Sequence, residues 1–386
     1  MNRNNQPWWP VTSAVLDWTE DGTPLSRRFG DVYYSRDNGL EESAHVFLRG
    51  NQLPERWHGR GDSFHIVEAG FGTGLNVLLT WHRWRSFEGD RPRLHIVSIE
   101  KYPPRREDLV QALTAWPELA PVSEQLLAAW PGLLPGQHRL VFEGGAVVLD
   151  LWWEDIATAL SDLAVRGPVV DAWYLDGFAP ARNADMWTHE IFSAMTAASR
   201  PGATFATFTA AGAVRRGLCA AGFQVEKVPG FGRKRESLRG TWRAGSVSFE
   251  PPDTPWEQPE AESAAPRHAL VLGAGLAGCA TARALAERGV PVTLLEADTM
   301  AGGASGNAQG ILYTRLSRRH STLTDFALQS FDFAARYYAV MFAQGALSEG
   351  DDGALCGSFH QCSDEAEMAV LSERLVNLPG LAEALS

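Results

Sequence analysis

A carboxylate beside a glycine-rich turn is the first feature of this sequence that could do chemistry. Glu68 ends an apolar run and is followed by Gly70, Gly72, Gly74 and Asn76. Glycines at alternate positions let the backbone pass close to a bulky ligand. A carboxylate here would repel the phosphates of a dinucleotide, whereas it would attract a ligand with a cationic amino-acid end. S-adenosylmethionine carries a sulfonium and an ammonium group and no phosphate, so the charge favours that cofactor.

Two further acidic residues follow later apolar runs. Glu100 ends the next run, at the position where wound α/β folds accept hydrogen bonds from ribose hydroxyls. Asp155 follows the apolar run 147–152, where the adenine amino group of the cofactor would lie. Together with the glycine turn, these acids predict a site for S-adenosylmethionine. The alternative is a wound fold with a vestigial, empty loop.

Asp176 and Phe178 follow the most apolar run of the first half, residues 169–175. Methyl transfer requires a nucleophile that is held in line with the bond to be broken and that is unprotonated. A carboxylate can accept a hydrogen bond from the N–H group of an amine, orient the lone pair of the nitrogen and take up the proton that the amine loses. We therefore predict that Asp176 is catalytic and that the ring of Phe178 faces a cationic centre. The alternative for Asp176 and Gly177 is a turn-initiating pair.

A second glycine turn contains Gly273, Gly275 and Gly278, and Glu296 ends the next apolar run about twenty residues on. This arrangement is typical of dinucleotide binding, with the acid on a ribose hydroxyl. A following loop would supply backbone donors near the phosphates; it includes Ser305, Gly306 and Asn307. Because that loop fits a flavoenzyme better, we predict FAD, with NAD and an empty domain as alternatives.

A basic cluster lies near the end of the first half. It includes Arg233, Lys234, Arg235 and Arg239. The net charge of the chain is -12, which excludes a surface that is basic throughout but leaves room for a local basic face. Such a cluster is either a solvated surface or a site that neutralises the phosphates of a nucleic acid.

The elements that must position these residues alternate between strand and helix, which predicts a mainly parallel sheet. We expect strands at residues 64–68, 94–100, 147–152, 169–175 and 204–209, helices at 75–84, 155–165 and 213–221, and a closing hairpin of 223–228 and 240–247. Before the sheet, residues 31–35 and 44–48 flank Asn38 and Gly39, which predicts a β-hairpin. The fold class is therefore α/β, a Rossmann-like sheet of the class I methyltransferase type.

A segment rich in Pro, Glu, Ala and Ser divides the chain. We predict an N-terminal extension at residues 1–60, a methyltransferase domain at 61–248, a linker at 249–266 and the start of an FAD-binding βαβ domain at 267–386. That last part has a strand at 269–272, a helix at 276–288 and a strand at 292–295, and we expect irregular structure after them.

Several classes of protein are excluded by composition. The four cysteines form no CxxC pair and have no metal-ligand spacing with histidine, so we expect reduced thiols and no metal site. The N-terminus lacks the layout of a signal peptide. The longest apolar stretch, residues 269–286, is too short and too interrupted to cross a bilayer. We expect a cytoplasmic protein that does not bind membranes.

The order of several long, unusual stretches resembles the family of bifunctional tRNA 5-methylaminomethyl-2-thiouridine biosynthesis proteins (MnmC type). The stretches are DVYYS (31–35), NGLEE (38–42), VFLRGN (46–51), EAGFGTGLN (68–76), AWYLDGFAP (172–180), DMW (185–187), FGRKR (231–235) and ASGNAQG (304–310). The resemblance implies an N-terminal methyltransferase and a C-terminal FAD-dependent oxidase. It implies that the oxidase removes a carboxymethyl group from the side chain of the wobble uridine and that the methyltransferase then methylates the resulting amine.

The resemblance also gives the basic cluster a partner, the anticodon region of tRNA. About 120 residues follow the linker. We therefore expect a partial oxidase domain and a methyltransferase half that works alone. Two other functions stay open. One is a small-molecule amine N-methyltransferase fused to a flavin amine oxidase, and the other is a non-catalytic module that binds cofactors.

Overall fold

A computed structural model describes residues 11–34, 38–60, 63–232, 234–243, 266–314, 321–357 and 361–376. The first part of the chain forms a three-stranded antiparallel sheet and an eight-stranded sheet. The small sheet consists of β1 (Leu16–Trp18), β2 (Pro24–Ser26) and β3 (Asp31–Val32). The large sheet consists of β4 (Ser63–Ala69), β5 (Arg93–Glu100), β6 (Gly136–Phe142), β7 (Val147–Trp153), β8 (Val170–Leu175), β9 (Ser199–Thr207), β10 (Phe223–Pro229) and β11 (Glu236–Trp242).

Helices cover both faces of the large sheet. They are α1 (Gly39–Ser43), α2 (Leu75–Arg85), α3 (Arg106–Leu113), α4 (Ala120–Ala128), α5 (Ile156–Ala164), α6 (His189–Ala198) and α7 (Gly212–Ala220). Because both faces are covered, the central strands are apolar along their whole length. Every residue of β7 and of β8 is buried.

The strand order of the large sheet is β10-β11-β9-β8-β4-β5-β7-β6. The strands β9, β8, β4, β5 and β7 are parallel to their neighbours in this series, whereas β6, β10 and β11 are antiparallel to theirs. The chain order reverses at β4, which pairs with β5 on one side and β8 on the other. In open α/β sheets such a reversal leaves a crevice at the carboxyl ends of the strands. The predicted wound α/β sheet is confirmed, and its crevice is the place to look for ligands.

Two predictions of local structure are wrong, and one falls on residues that the structure does not describe. Residues 44–48 form a π-helix that continues α1, because Asn38 and Gly39 begin a helix instead of a hairpin turn. The partner of β10 begins at Glu236, so the Arg-rich loop between them is shorter than predicted. The predicted strand residues 244–247 lie outside the described part of the chain.

The second part of the chain begins with a parallel pair, β12 (Ala269–Leu272) and β13 (Val292–Leu295), joined by α8 (Leu276–Glu287). These elements confirm the predicted βαβ unit. The prediction of irregular structure after residue 295 is wrong, since α9 (Thr322–Ala343) and α10 (Glu365–Val376) follow. A capping box at Ser321 and Thr324 begins α9, so its start has a local cause.

The helix α9 lies against the edge strand β6. The amide of Gln329 donates to the carbonyl oxygen of Pro135 at 2.8 Å, and Nδ1 of His138 lies 3.5 Å from the carboxylate of Asp332. Leu328 and Asp332 are buried at this contact. The second part of the chain therefore contacts the edge of the first sheet that is farthest from β10. Within the described residues, no helix is both long and apolar enough to cross a bilayer, and no cluster of His, Cys, Asp and Glu could hold a metal ion.

Candidate functional site

A cavity of about 640 Å³ opens at the carboxyl ends of β4, β5 and β8. This volume lies in the range of small-molecule sites, about 300–1,000 Å³. Most of the residues predicted for the first cofactor and for catalysis line it: Gly70, Gly72, Asn76, Glu100, Asp155, Asp176 and Phe178, joined by Lys234. The switch in strand order thus brings together residues that are up to about 160 positions apart in the sequence.

The glycine turn is pressed against the loop that follows β8. Gly70 has φ +96, and a Cβ atom there would lie 2.0 Å from the carbonyl oxygen of Asp176. Gly74 also has positive φ (+77) and directly precedes α2. Only residues without a Cβ atom fit this path without strain. At Gly70 the close approach is to the protein's own backbone, and the predicted approach of the turn to a ligand stays a prediction.

Glu100 ties the end of β5 to the glycine turn. Its carboxylate accepts the backbone N–H of Gly72 at 3.1 Å and that of Tyr102 at 2.8 Å. Burial raises the pKa of Glu100 to about 7, against the lowering effect of those two hydrogen bonds. Asp155 caps the start of α5 by accepting the N–H of Ala157, and it pairs with Lys101 at 2.9 Å. Both acids line the cavity as the sequence predicted, and each also has a structural role.

Glu68 does not line the cavity, which departs from the prediction that its carboxylate faces the cofactor. The residue is fully buried, and Asn76 and Ser98 donate hydrogen bonds to its two oxygens. The reason is strand alternation, since Glu68 points to the same sheet face as Ile66, which packs in the core under α2. The negative charge that faces the cavity therefore comes from the other acids.

Asp176 lies at the end of β8 and lines the cavity. Its Oδ2 accepts a hydrogen bond from Nδ2 of Asn76 at 2.6 Å. Burial raises the pKa of Asp176 to about 7, while the Asn76 hydrogen bond and the nearby Lys234 ammonium lower it. A carboxyl group with a pKa near neutral pH is suited to accept a proton in one step and release it in the next.

An aromatic wall stands beside Asp176. The ring of Phe178 stacks on that of Phe29, with centroids 4.6 Å apart, and meets the edge of Tyr33 at 5.2 Å. Phe29, Tyr33 and Phe178 all line the cavity. Trp187, which lies nine residues after Phe178 in the sequence, is partly buried and packs against the core cluster that includes Ile191 and Met195 of α6. The wall gives the cavity an apolar face next to Asp176, which suits a flat ring with a cationic substituent.

The predicted basic cluster is divided by the fold. Lys234 reaches into the cavity, where it pairs with Glu42 at 2.6 Å and lies over the ring of Phe208. Arg239 pairs with Glu226 at 3.0 Å on the outer hairpin, and Arg235 is exposed. Arg233 lies outside the described residues. The cluster is thus only partly a free basic surface, and Lys234 belongs to the cavity.

The second glycine turn has the geometry expected of a dinucleotide site. Gly273 has φ +94, and a Cβ atom on Gly278 would lie 1.8 Å from the carbonyl oxygen of Gly273, so the turn packs tightly on α8. The carboxylate of Glu296 accepts the N–H of Ala274 at 2.7 Å. The hydroxyl of Ser305 accepts the N–H of Leu276 at 3.0 Å.

These contacts place the predicted loop of Ser305, Gly306 and Asn307 beside the N-terminus of α8. Gly306 donates its N–H to Gly303, and Asn307 donates its own to Ala304, which closes a compact turn there. A helix N-terminus with small residues around it fits a pyrophosphate, and the acid after β13 fits a ribose. The residues present therefore fit FAD.

The first cavity fits S-adenosylmethionine by the same test. A cofactor with a cationic amino-acid end fits a cavity with this tight glycine turn, an aromatic face and several acidic side chains in its walls, Glu100, Asp155 and Asp176 among them. Sequence reasoning missed Phe29, Tyr33, Tyr102 and Glu42, which also line the cavity. Tyr102 could have been found because it follows the predicted strand end at Glu100. The others come from the N-terminal extension, where the sequence carries no local signal of a cavity wall.

Comparison with protein families finds two matches along the chain. Residues 117–243 match a family described as S-adenosyl-L-methionine-dependent methyltransferase. Residues 268–384 match a family described as FAD dependent oxidoreductase. These matches confirm the two predicted cofactor classes, S-adenosylmethionine and FAD, and the order of the two units.

Curated relatives extend the similarity over nearly the whole chain. The chain is 48% identical, over 92% of its length and 53% of the relative, to the tRNA 5-methylaminomethyl-2-thiouridine biosynthesis bifunctional protein MnmC of Ectopseudomonas mendocina. It is 48% identical, over 95% of its length and 54% of the relative, to the protein of the same name from Chromobacterium violaceum. Among solved structures it is similar to MNMC2 from Aquifex aeolicus, at 23% identity and a TM-score of 0.45, over 65% of this chain and 76% of that one. The chain spans about half the length of the curated relatives it matches.

Proposed function

Because this chain belongs to the MnmC-type family, we propose that its first part methylates the amine of 5-aminomethyl-2-thiouridine at the wobble position of tRNA, with S-adenosylmethionine as donor. The product would be 5-methylaminomethyl-2-thiouridine. One observation carries the proposal: the carboxylate of Asp176 lines a cavity that also has the glycine turn and an aromatic wall. A small-molecule amine N-methyltransferase remains the competing function.

The chemistry follows from what a carboxylate can do for an amine. S-adenosylmethionine supplies a methyl group on a positively charged sulfur. The substrate amine would attack that methyl carbon in line with the C–S bond, so that a C–N bond would form while the C–S bond breaks and the sulfur leaves as the neutral thioether S-adenosylhomocysteine. Asp176 accepts a hydrogen bond from an N–H group of the amine, which orients the nitrogen lone pair. It then takes the proton that the amine loses and passes it to water. With its pKa near 7, Asp176 is largely ionised just above neutral pH.

The other cavity residues would bind the cofactor and the base. In this proposal Glu100 would accept hydrogen bonds from the ribose hydroxyls and Asp155 from the adenine amino group, and Gly70 and Gly72 would give access along the turn; all four line the cavity. The stacked rings of Phe29 and Phe178 offer a surface for an everted uracil. An anticodon loop already presents splayed bases, so the cost of eversion is small.

In the second part, Glu296, the glycine turn and the loop of Ser305 would hold FAD. FAD supplies two-electron oxidation when bound. We propose, from the family resemblance, that this part contributes to removal of the carboxymethyl group that precedes methylation. The exposed Arg235 and its neighbour Arg233 are proposed to contact tRNA phosphates, with Arg239 as a further contact.

The test is methyl transfer by the full chain to tRNA that carries 5-aminomethyl-2-thiouridine, with nucleosides analysed by mass spectrometry. We expect 5-methylaminomethyl-2-thiouridine from the wild type and a loss of about 10²-fold or more in kcat for Asp176→Asn, since general base assistance contributes 10²–10⁴-fold. The double variant of Arg235 and Arg239 to Gln should raise KM for tRNA more at low salt than at high salt, because a protein with fewer phosphate contacts depends less on salt. Methylation of a free amine, but not of tRNA, would favour the competing function.

A further inference from the structure

One side-chain amide connects two acids at the base of the cavity. Nδ2 of Asn76 lies 3.0 Å from Oε1 of Glu68 and 2.6 Å from Oδ2 of Asp176. Its Oδ1 accepts a hydrogen bond from the hydroxyl of Ser43. An amide NH₂ group has two hydrogens, so each carboxyl group takes one. The orientation of Asn76 is therefore fixed from three sides.

None of the groups that hydrogen-bond to Glu68 carries a positive charge that could balance an ionised carboxylate. Its hydrogen-bond partners are Asn76 at Oε1 and the hydroxyl of Ser98 at Oε2, both uncharged, and its side chain is fully buried. A hydroxyl can donate or accept, so Ser98 can also accept a proton carried on Oε2. Ionising a carboxyl group that is out of water and has only neutral partners is costly, so such a group keeps its proton. In agreement, burial raises the pKa of Glu68 to about 8; the hydrogen bond of Ser98 and that of Asn76 lower this pKa, and the nearby Asp176 raises it.

Asp176 differs from Glu68 in its surroundings. It lines the open cavity, and the Lys234 ammonium lowers its pKa, which burial sets near 7. As the pH rises, Asp176 therefore loses its proton before Glu68 does. Glu68 and Asp176, which share the Asn76 amide as donor, then carry a single negative charge between them, and that charge lies on Asp176 at the cavity.

We propose that Asn76 is the positioning residue for Asp176, and that Glu68 supports Asn76 as a neutral acid and is not a counter-ion for the cofactor. This inference rests on the proposed function only where it concerns methyl transfer. With Oδ2 held by the amide, Oδ1 of Asp176 is the oxygen presented to the substrate amine. Ser43 and Ser98 complete the arrangement by orienting the amide and the buried acid.

The first test replaces Glu68 by its neutral isostere. In Glu68→Gln the amide oxygen still accepts from Asn76 and the amide nitrogen can donate to Ser98. We expect the Kd values for S-adenosylmethionine and for S-adenosylhomocysteine, measured by calorimetry, to stay within about twofold of wild type. If Glu68 were a counter-ion, the cationic donor would lose about tenfold or more in affinity and the neutral S-adenosylhomocysteine would lose less. That outcome would overturn the proposal.

The second test removes the amide. In Asn76→Ala, Asp176 loses a hydrogen bond to its charged form, so its titration midpoint should move to higher pH. The midpoint is followed without turnover by NMR of ¹³C-labelled aspartate carboxyl groups, with Asp176→Asn to assign the signal. Ser43→Ala leaves the amide in place but frees its oxygen, and we expect a smaller shift in the same direction. Melting temperatures confirm that each variant is folded.

The kinetic readout separates this inference from the proposed function. If the wild type methylates the tRNA, Asn76→Ala should lower kcat by about 10²-fold with KM for tRNA nearly unchanged, as expected when geometry at the reacting group is lost. The acid limb of its pH profile should move with the NMR midpoint. If the wild type does not methylate the tRNA, the proposed function fails while the titration and the Kd values still decide the role of Asn76. An unmoved midpoint in Asn76→Ala would refute the positioning role.

Discussion

Replacing Gly70 by alanine tests the central geometric claim, that the glycine turn and the Asp176 loop are pressed together. A Cβ atom at residue 70 would lie 2.0 Å from the Asp176 carbonyl oxygen, whereas Cβ contacts under 3.0 Å are essentially never seen. The two segments must therefore separate by about 1 Å, and a displacement of that size at a reacting group costs about 10²-fold in rate. The positive φ of +96 adds a backbone strain of about 1–2 kcal/mol for any residue with a Cβ atom.

The assay is calorimetric binding of S-adenosylhomocysteine together with kcat for tRNA methylation. Gly202→Ala is the matched control, since Gly202 has φ +84 but no atom within 4 Å of a built Cβ. Both variants should lose a few degrees in melting temperature because both acquire backbone strain. Only Gly70→Ala should also lose cofactor affinity and about 10²-fold in kcat. Equal binding and turnover in the two variants would show that the turn does not depend on close contact with Asp176.

The remaining predictions concern charge and stacking. Since Asp176 must be ionised to accept a proton and its pKa is near 7, kcat should rise with pH through about 7 and then level off; a flat profile from pH 6 to 8 would contradict the assignment. Phe178→Ala should raise KM for tRNA by about tenfold, the effect of losing a stacking partner, with Phe178→Leu less affected. The ion pairs that Arg139 and His95 make with buried Asp150 lower its pKa, so they stabilise the fold above about pH 4 and are lost on acidification. Arg139→Met should therefore reduce the free energy of unfolding at pH 7, by denaturant titration, more than at pH 3.

The parts of the fold that could be predicted are those with a local pattern. The glycine turn, the strand-end acids and Asp176 lie where apolar runs stop, and parallel strands bring those ends to one edge. The edge strand β6 has no apolar alternation in its sequence, since Leu140, Val141 and Phe142 are consecutive apolar residues, and only the structure shows that Val141 is exposed between two buried neighbours. The hairpin expected around Asn38 was wrong because the Leu-Glu-Glu-Ser segment that follows favours a helix over a turn.

The face of the sheet to which a strand residue points also affects whether its side chain can reach the cavity. In β4, residues 64, 66 and 68 share one face, and the apolar members of that set pack in the core under α2. Glu68 pairs in register with Ser98, two residues before Glu100, so its carboxylate is buried short of the cavity edge that Glu100 reaches. In contrast, no local pattern could place Phe29 against Phe178, because the contact joins residues about 150 positions apart and depends on how the N-terminal extension packs.

A comparison of the two glycine turns indicates which acidic residue distinguishes a site for S-adenosylmethionine from a site for FAD. In each unit the acid after the second strand accepts an N–H of the turn, Glu100 from Gly72 and Glu296 from Ala274, so that acid is common to both and does not discriminate. The difference lies two residues before the first glycine, where the first unit has Glu68 and the second has Val271. Since Glu68 is buried, it acts through Asn76 and Asp176, whose carboxylate is the charge at the cavity surface. The selection against phosphate is then indirect, and exchanging Glu68 for Gln should leave it intact while Asp176→Asn should weaken it.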